Sequence, residues 1–351
     1  MPQALRVGVI GTGAISKEHL SFLQQSDQAR LAGVCDLSRA AADYAAQRFG
    51  ADAAYTDYRA MLADIKPEVV HVLTPPQTHQ LIATDCLQAG AHVICEKPIT
   101  PTYEEFKQLW EVARECDRHL IEDYNYLFNG PMQAIQQLVA AGDLGSIQEV
   151  EVRIALDVRA GGRFADENLP NPVHRLPAGV IHDVLTHLCY LTLQYLPQVD
   201  RVAAAWNNHG GGDLFKYDDL DALVIGDAVH ARLRFSSCTL PECFEVRLRG
   251  DRGYVETDLF QPYLRRVVPR SGGKQLSPLV NHLASGTSFA GASVKNFRNK
   301  IMQKTPIEGL NRFLALTYDA MVNQKPLPVS FDLMDRTNRL IETLLLEKNR
   351  L

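Results

Sequence analysis

The sequence predicts two successive folds: α/β with a doubly wound parallel sheet, then α+β on a mainly antiparallel, open β-sheet with helices. Over the first 123 residues short apolar runs alternate with helix-length segments, which predicts parallel strands buried on both faces. Beyond Gly142 the runs alternate polar with apolar and are separated by turn residues, which predicts antiparallel strands. A length of 351 residues fits two domains of roughly 100–200 residues each, here 1–123 and 124–351.

The strand signals of the first domain are RVGVIG (6–11), LAGVCD (31–36), EVVHVLT (68–74), HVICEK (92–97) and HLIED (119–123). Helix-length segments lie between them at 15–25, 38–48, 78–89 and 103–117. Thr102 and Glu105 have the spacing of a capping box at the head of the last. One more helix spans 131–141, with Gly142 as its stop. The second domain then offers strands at 147–158, 200–206, 221–226, 230–237, 243–250 and 253–258. Its helices fall near 178–194, 306–322 and 332–349, and Thr305, Pro306 and Glu308 supply N-cap, N1 proline and N3 acid. The stretch 269–300 has weak periodicity and many small or basic residues, which reads as a functional loop or insertion.

Composition narrows the function classes. With 46% hydrophobic and 22% charged residues the chain has material for buried cores and no signature of disorder. A net charge of −5 gives no reason to expect nucleic acid as a partner. No apolar run approaches the roughly 18–20 residues of a membrane span, so no membrane association is expected. The start, MPQALRVGVIG, runs directly into a strand with no signal-peptide pattern, which predicts a cytoplasmic location. The seven cysteines form no CxxC pair and mostly sit in apolar runs, as reduced, buried thiols do.

Chemistry enters with the string Gly11-Thr12-Gly13-Ala14-Ile15-Ser16, which follows a strand and opens a helix. Gly11 permits a tight turn, Gly13 lets a pyrophosphate approach the backbone, and the helix N-terminus across Ala14 and Ile15 favours an anion. Ser16 stands at the third glycine position, where a small residue suffices. Asp36, at the end of the second strand, is placed to accept hydrogen bonds from an adenosine ribose, which points to NAD over NADP. Arg39 lies near enough to leave NADP open, and the structural alternative, which can coexist with ribose binding, is that Asp36 caps the helix that begins near Ser38.

These pieces and several others resemble the Gfo/Idh/MocA oxidoreductases, a family that includes glucose–fructose oxidoreductase and inositol dehydrogenase. The resemblance rests on VGVIGTGAIS (7–16), TPPQTH (74–79), EKP (96–98), EDYNYLFNGP (122–131), GDLGSIQEV (142–150) and DVLTH (183–187), and it extends over nearly the whole chain. It implies a Rossmann domain, a nicotinamide cofactor, and a catalytic group of Lys97, Asp183 and His187. Elementary chemistry agrees: a secondary alcohol that gives up a hydride also gives up a proton, and histidine has the pKa of a base near neutrality. Four-residue spacing puts Asp183 on the helix face of His187 as its orienter. Lys97 is placed to stabilise alkoxide-like charge or serve as an alternative base. The plain alternatives are a surface Asp/His pair and a solvated lysine; His182 reads as structural.

The resemblance further implies that Thr74, Pro75 and His79 form the turn passing the nicotinamide and its ribose, with Glu96 and Lys97 beside the ribose. His79 has the alternative of simply starting a helix. Asn125 matches a family position near substrate. Tyr126 and Leu127 stand where relatives often carry arginine, and Tyr190 where many carry a second Asp; these departures bear on sugar identity. Arg159, Arg163 and Arg175 in the loop at 159–175, with Lys274, Lys295 and Arg298, suggest an acidic or nucleotide-linked sugar, Arg163 being the candidate substrate contact.

The resulting expectation is an NAD(P)-dependent dehydrogenase or reductase of a sugar, nucleotide-sugar or cyclic polyol, with no metal. A glycosidase using transient oxidation and a non-catalytic NAD-binding regulator are the alternatives. A homodimer or homotetramer pairing through the open sheet is expected from the resemblance.

Overall fold

The structure is a computed structural model and describes residues 4–159, 161, 164–166, 171–212, 214–270, 273–302 and 308–348. The chain divides into two units. The first holds the residues up to Asn125 together with Gly309–Asn338, and the second holds Tyr126–Glu308 and the residues from Arg339 on. The sequence reading draws one boundary at 123/124; the structure cuts two residues later and also returns Gly309–Asn338 to the first unit.

In the first unit the chain runs β1 (Leu5–Ile10), α1 (Ser16–Gln25), β2 (Ala29–Cys35), α2 (Arg39–Phe49), β3 (Ala53–Tyr55), α3 (Tyr58–Ile65), β4 (Val69–Val72), α4 (His79–Gln88), β5 (His92–Cys95), α5 (Tyr103–Glu115) and β6 (Leu120–Glu122). All neighbours are parallel, in the order β3-β2-β1-β4-β5-β6. The central strands are apolar because both faces are covered: Val7, Val9, Val69, Val70, Val72, Val93 and Ile94 are buried. Each such side chain contributes about 1.5–3 kcal/mol relative to exposure. The Thr102–Glu105 capping box is present, with Glu105 N–H donating to Thr102 Oγ1 at 3.2 Å and Thr102 N–H to Glu105 Oε2 at 3.0 Å. The sequence reading passes over β3 and α3, since a half-exposed three-residue strand and an eight-residue helix carry little periodic signal.

The second unit contains α6 (Gly130–Ala140), β7 (Ile147–Ala155), α7 (Gly179–Leu193), β8 (Arg201–Asn207), β9 (Asp219–Ile225), β10 (His230–Ser236), β11 (Cys243–Gly250), β12 (Gly253–Asp258), β13 (Arg265–Val267) and α8 (Gly273–Ile301). Its sheet order is β13-β12-β11-β7-β10-β9-β8, antiparallel everywhere except between β7 and β10. Helix α7 packs on β7 and β10 and buries 13 of its 15 residues, which makes it the unit's core helix. Helices α9 (Glu308–Asn323) and α10 (Phe331–Glu347) complete the chain. Thr305 and Pro306, expected to cap α9, lie outside the described residues.

One element corrects the sequence reading. The stretch 269–300, expected as a loop or insertion, is occupied by the 29-residue helix α8. Its inward face is polar and small, so the usual apolar-in pattern that marks a helix is absent. Among the described residues no helix is long and apolar enough to cross a membrane.

Candidate functional site

The order of the parallel sheet reverses between β1 and β4, and ligands of such sheets bind beyond the strand ends at that switch point. The turns leaving these two strands touch there. Gly11 has φ +97°, and a Cβ on it would stand 2.8 Å from the carbonyl carbon and oxygen of Leu73. Only glycine fits this conformation and this approach. Gly13 differs: a Cβ there meets nothing within 4 Å, so the space above it is open to a ligand. Ser16 Oγ donates to Gly13 O at 2.7 Å and holds the turn. Ile15 takes the N-cap position of α1 without a side-chain cap; Ser16 N–H donates to Gly13 O at 3.1 Å and Glu18 N–H to Ile15 O at 3.0 Å, so it is the dipole of the helix end that favours an anion there.

Asp36 ties the glycine turn to the end of β2. Thr12 N–H and Thr12 Oγ1 both donate to Asp36 Oδ2, at 2.9 and 2.7 Å, and Ser38 N–H donates to Oδ1 at 2.9 Å. Burial raises this carboxyl, but the bonds from Thr12 and Ser38 outweigh it and hold the group below its ordinary value, as an anion. The N-cap of α2 is Ser38 itself, so Asp36 serves the preceding turn rather than the helix. Arg39 is exposed and pairs with Asp43 at 2.8 Å, one helical turn along α2.

The turn after β4 carries Thr74 and Pro75, and α4 begins at His79. The His79 ring is buried, with Nε2 2.7 Å from Thr74 O and Nδ1 3.1 Å from Pro98 O. Burial holds this imidazole below its ordinary value. A neutral imidazole has one N–H, so His79 donates to one of these two carbonyls and packs between the Thr74 turn and the loop after β5.

That second loop carries Glu96 and Lys97. Glu122, at the end of β6, accepts from Ile99 N–H at 3.0 Å, from Tyr124 Oη at 2.9 Å and from Asn338 Nδ2 at 3.1 Å. The peptide between Lys97 and Pro98 is cis. Burial pushes the Glu122 carboxyl up to about 7. The Lys97 charge acts on Glu96, Glu122 and Asp123, lowering each of them.

Beneath Lys97 lies a buried polar chain. Tyr318 Oη is 2.8 Å from His71 Nε2, His71 Nδ1 is 2.8 Å from His19 Nδ1, and His19 Nε2 is 3.3 Å from Glu96 Oε1. Burial, then the neighbouring His19, holds His71 well below its ordinary value and hence neutral. One tautomer set satisfies the row: Tyr318 donates to His71, His71 to His19, and His19 to Glu96. Asp123 Oδ2 sits 3.9 Å from His19 Nε2. Burial, then the Glu96 charge, raises the Asp123 carboxyl well above its ordinary value, while for Glu96 the bond and charge of His19 and the charge of Lys97 outweigh burial and lower it. The ligating atoms of His19, Glu96 and Asp123 lie within 4.8 Å of one another, a cluster no local spacing reveals.

In the second unit, Asp183 and His187 stand one turn apart on α7. His187 Nδ1 is 2.9 Å from Tyr190 Oη, and Tyr126 N–H donates to the same oxygen at 3.3 Å. The Tyr126 ring meets His187 edge-on at 4.8 Å and Phe244 at 4.7 Å. The orienting bond on Nδ1 thus comes from Tyr190, where the sequence reading assigns orientation to Asp183. His182 is buried. Asn125 begins a 3₁₀ turn after β6, and its buried Oδ1 accepts no bond among the described residues.

The basic residues suggested for an acidic substrate separate. Arg159 donates to the fully buried Asp218 at 2.7 Å and to His209 O at 3.3 Å, a structural tie rather than an anion contact. Arg175 is exposed, and Lys295 and Arg298 lie exposed on α8. Arg163 falls outside the described residues, as does the Lys274 side chain.

A doubly wound sheet with an open glycine turn and an anchored acid after β2 defines a dinucleotide-binding protein. Residues 5–124 match the model of the "Oxidoreductase family, NAD-binding Rossmann fold". It is 33% identical over 150 residues to D-glucoside 3-dehydrogenase of Escherichia coli strain K12, covering 42% of this chain and 43% of that protein. The match thus spans less than half of that relative's length. Two solved structures share the fold over nearly the full chain. An oxidoreductase from Agrobacterium radiobacter in complex with NAD+, L-tartaric acid and magnesium gives a TM-score of 0.79 at 16% identity, covering 98% of this chain and 96% of that one. UDP-N-acetylglucosamine 3-dehydrogenase from Acidithiobacillus ferrooxidans gives 0.74 at 20% identity, covering 98% and 97%.

Proposed function

We propose that the chain is an NAD-dependent oxidoreductase acting on a secondary alcohol, or the corresponding ketone, of a sugar, nucleotide-sugar or cyclic polyol. The observation that carries the reading is the switch-point turn, open above Gly13 and anchored by the Asp36 carboxylate. Gly11, Gly13 and the N-terminus of α1 would hold the pyrophosphate, Asp36 the adenosine ribose, and the Thr74–Pro75 turn with Glu96 the nicotinamide end. The negative Asp36 opposes a 2′-phosphate, which favours NAD; Arg39, paired with Asp43, offers that phosphate little. When bound, the cofactor accepts or returns a hydride.

The remaining chemistry belongs to side chains. His187 takes the hydroxyl proton at Nε2, its Nδ1 being held by Tyr190. Lys97 stabilises the negative oxygen that develops as the proton leaves. Asp183 and Asn125 bind neighbouring substrate hydroxyls. The relatives named for glucoside and UDP-N-acetylglucosamine oxidation at position 3 support a sugar ring as substrate.

The test is a panel of polyols, glycosides and nucleotide-sugars with NAD+, read by formation of reduced nicotinamide. Turnover lost in both His187→Ala and Lys97→Ala supports the assignment. Sugar release without net reduced cofactor would point to a glycosidase, and NAD binding with turnover of nothing on the panel to a regulator.

A further inference from the structure

Helix α8 is packed inside out. Its hydrogen bonds to the rest of the unit come from polar residues facing the edge strand β13 and its flanks. Asn281 Nδ2 donates to Val268 O at 2.9 Å, Ser288 Oγ to Leu264 O at 2.6 Å, and Asn296 Nδ2 to Pro262 O at 3.0 Å. The opposite face is apolar and open: Leu283, Val294, Phe297 and Ile301 are 65, 71, 68 and 66% exposed. Isolated exposed hydrophobes need no explanation, but a row of them along one helix does.

The row has a register. Its positions fall at 276, 280, 283, 287, 290, 294, 297 and 301, alternating steps of four and three, the seam spacing of two packed helices. It is also symmetric. Turned end over end against itself, the helix sets Leu276 opposite Ile301, Val280 opposite Phe297, Leu283 opposite Val294, and Thr287 opposite Ala290. The centre is small, and Gly286 falls opposite Gly291. Neither glycine has any atom within 4 Å of where its Cβ would stand, so nothing within the chain requires glycine there. Glycine inside a helix costs about 0.8–1.0 kcal/mol relative to alanine, and a second backbone crossing closely at that point accounts for both.

We propose that α8 is a self-association surface on which a second copy of this chain docks antiparallel about a two-fold axis through the Thr287–Ala290 region. Charge selects the antiparallel sense. The helix carries Lys274, Lys295, Arg298 and Lys300 and no acid, so a parallel pair would stack its basic ends. The antiparallel pair sets the two clusters at 295–300 about 27 Å apart, well beyond the roughly 8 Å screening length of physiological salt, and brings only the single Lys274 of each copy near the other's cluster, where a parallel pair sets three cations against three. A two-fold contact is isologous, so every seam residue is used twice. The surface is independent of the proposed activity.

Sedimentation of the full chain tests it. Leu283→Asp places a carboxylate in the seam at an exposed position, and the expected result is a halved mass with unchanged circular dichroism. Gly286→Ala has room in the single copy and favours the helix, so it should weaken assembly at least tenfold while leaving the dissociated chain as stable or more so. Register is read by oxidation: L283C/V294C forms a dimer linked between copies, whereas L283C alone does not. The two cysteines of one copy, 11 residues or about 16 Å apart, cannot join each other. A mass unchanged by L283D, linkage of L283C alone, or a monomer that instead binds anionic phosphatidylserine vesicles through this face would overturn the proposal.

Discussion

Tyr190 Oη lies 2.9 Å from Nδ1 of His187, three residues earlier on the same buried helix, and Tyr126 N–H fixes that hydroxyl from the other side. The Nδ1 side of the imidazole is therefore held by a phenol. A phenol fixes ring orientation without adding negative charge, so it raises the basicity of Nε2 less than an acid does. Tyr190→Phe removes the bond and keeps the ring. The expected outcome is a fall in kcat on the order of tenfold, about 1.4 kcal/mol, with KM little changed and the acid limb of the pH–rate profile displaced. A uniform loss of folded protein with an unmoved profile would reduce Tyr190 to a packing residue.

The two glycines of the turn separate packing from ligand approach. In Gly11→Ala the new methyl meets the Leu73 carbonyl at 2.8 Å with φ at +97°, and a destabilisation of about 1–3 kcal/mol should appear as a lower Tm before any cofactor is added. Gly13→Ala meets only open space, so Tm should stay within a degree or so of the parent while NAD affinity drops, read by fluorescence titration. Equal loss of Tm in both variants would count against the open-cradle reading.

Glu122 makes a signed prediction about pH. Its ordinary value near 4.5 is raised to about 7 by burial, so between those values the folded state binds a proton the unfolded chain has released. Its contribution to stability is present in full below pH 4.5 and declines as pH rises through 7. The buried His71 and His79, held low, work in the opposite direction as pH falls. The stability difference between the parent and Glu122→Gln isolates the carboxyl. Denaturant unfolding across this range should show the parent losing ground to the variant as pH rises, and a flat difference would mean that the carboxyl is already ionised.

How much of this is written locally explains what the sequence discloses. The glycine turn and Asp36 sit in a contiguous strand–turn–helix context that local pattern discloses, while Lys97 and the Asp183/His187 pair lie in short contiguous motifs that carry the family resemblance. The chain Tyr318–His71–His19–Glu96 joins residues 247, 52 and 77 positions apart, so only the folded sheet assembles it. Arg159 shows the converse: a basic residue in a polar loop leaves open both plain solvation and an anion contact, and the fully buried Asp218, 59 residues on, is the partner that only the fold supplies. Helix α8 escapes for a third reason, since a helix that docks through Asn and Ser and exposes Leu and Phe inverts the rule by which helices are recognised.

Asp36 carries both a structural and a recognition role, and two substitutions tell them apart. Thr12→Val deletes the hydroxyl that bonds Oδ2 at 2.7 Å but keeps the carboxylate and the backbone bond from residue 12. Asp36→Ser removes the negative charge itself. If the carboxylate accepts from the adenosine ribose, Thr12→Val should leave the preference for NAD over NADP intact and frees an acceptor, so NAD binding holds or tightens. Asp36→Ser should weaken NAD at least tenfold, about 1.4 kcal/mol, and bring NADP to comparable affinity because the repulsion of its 2′-phosphate is gone. Acid pH reports the same group: its folded-state value is depressed, so the stability it contributes is present above the ordinary carboxylate value and is lost as pH falls through the folded one. An Asp36→Ser variant that still prefers NAD by the parental ratio would move cofactor discrimination elsewhere, with Asp36 left as the anchor of the Thr12 turn.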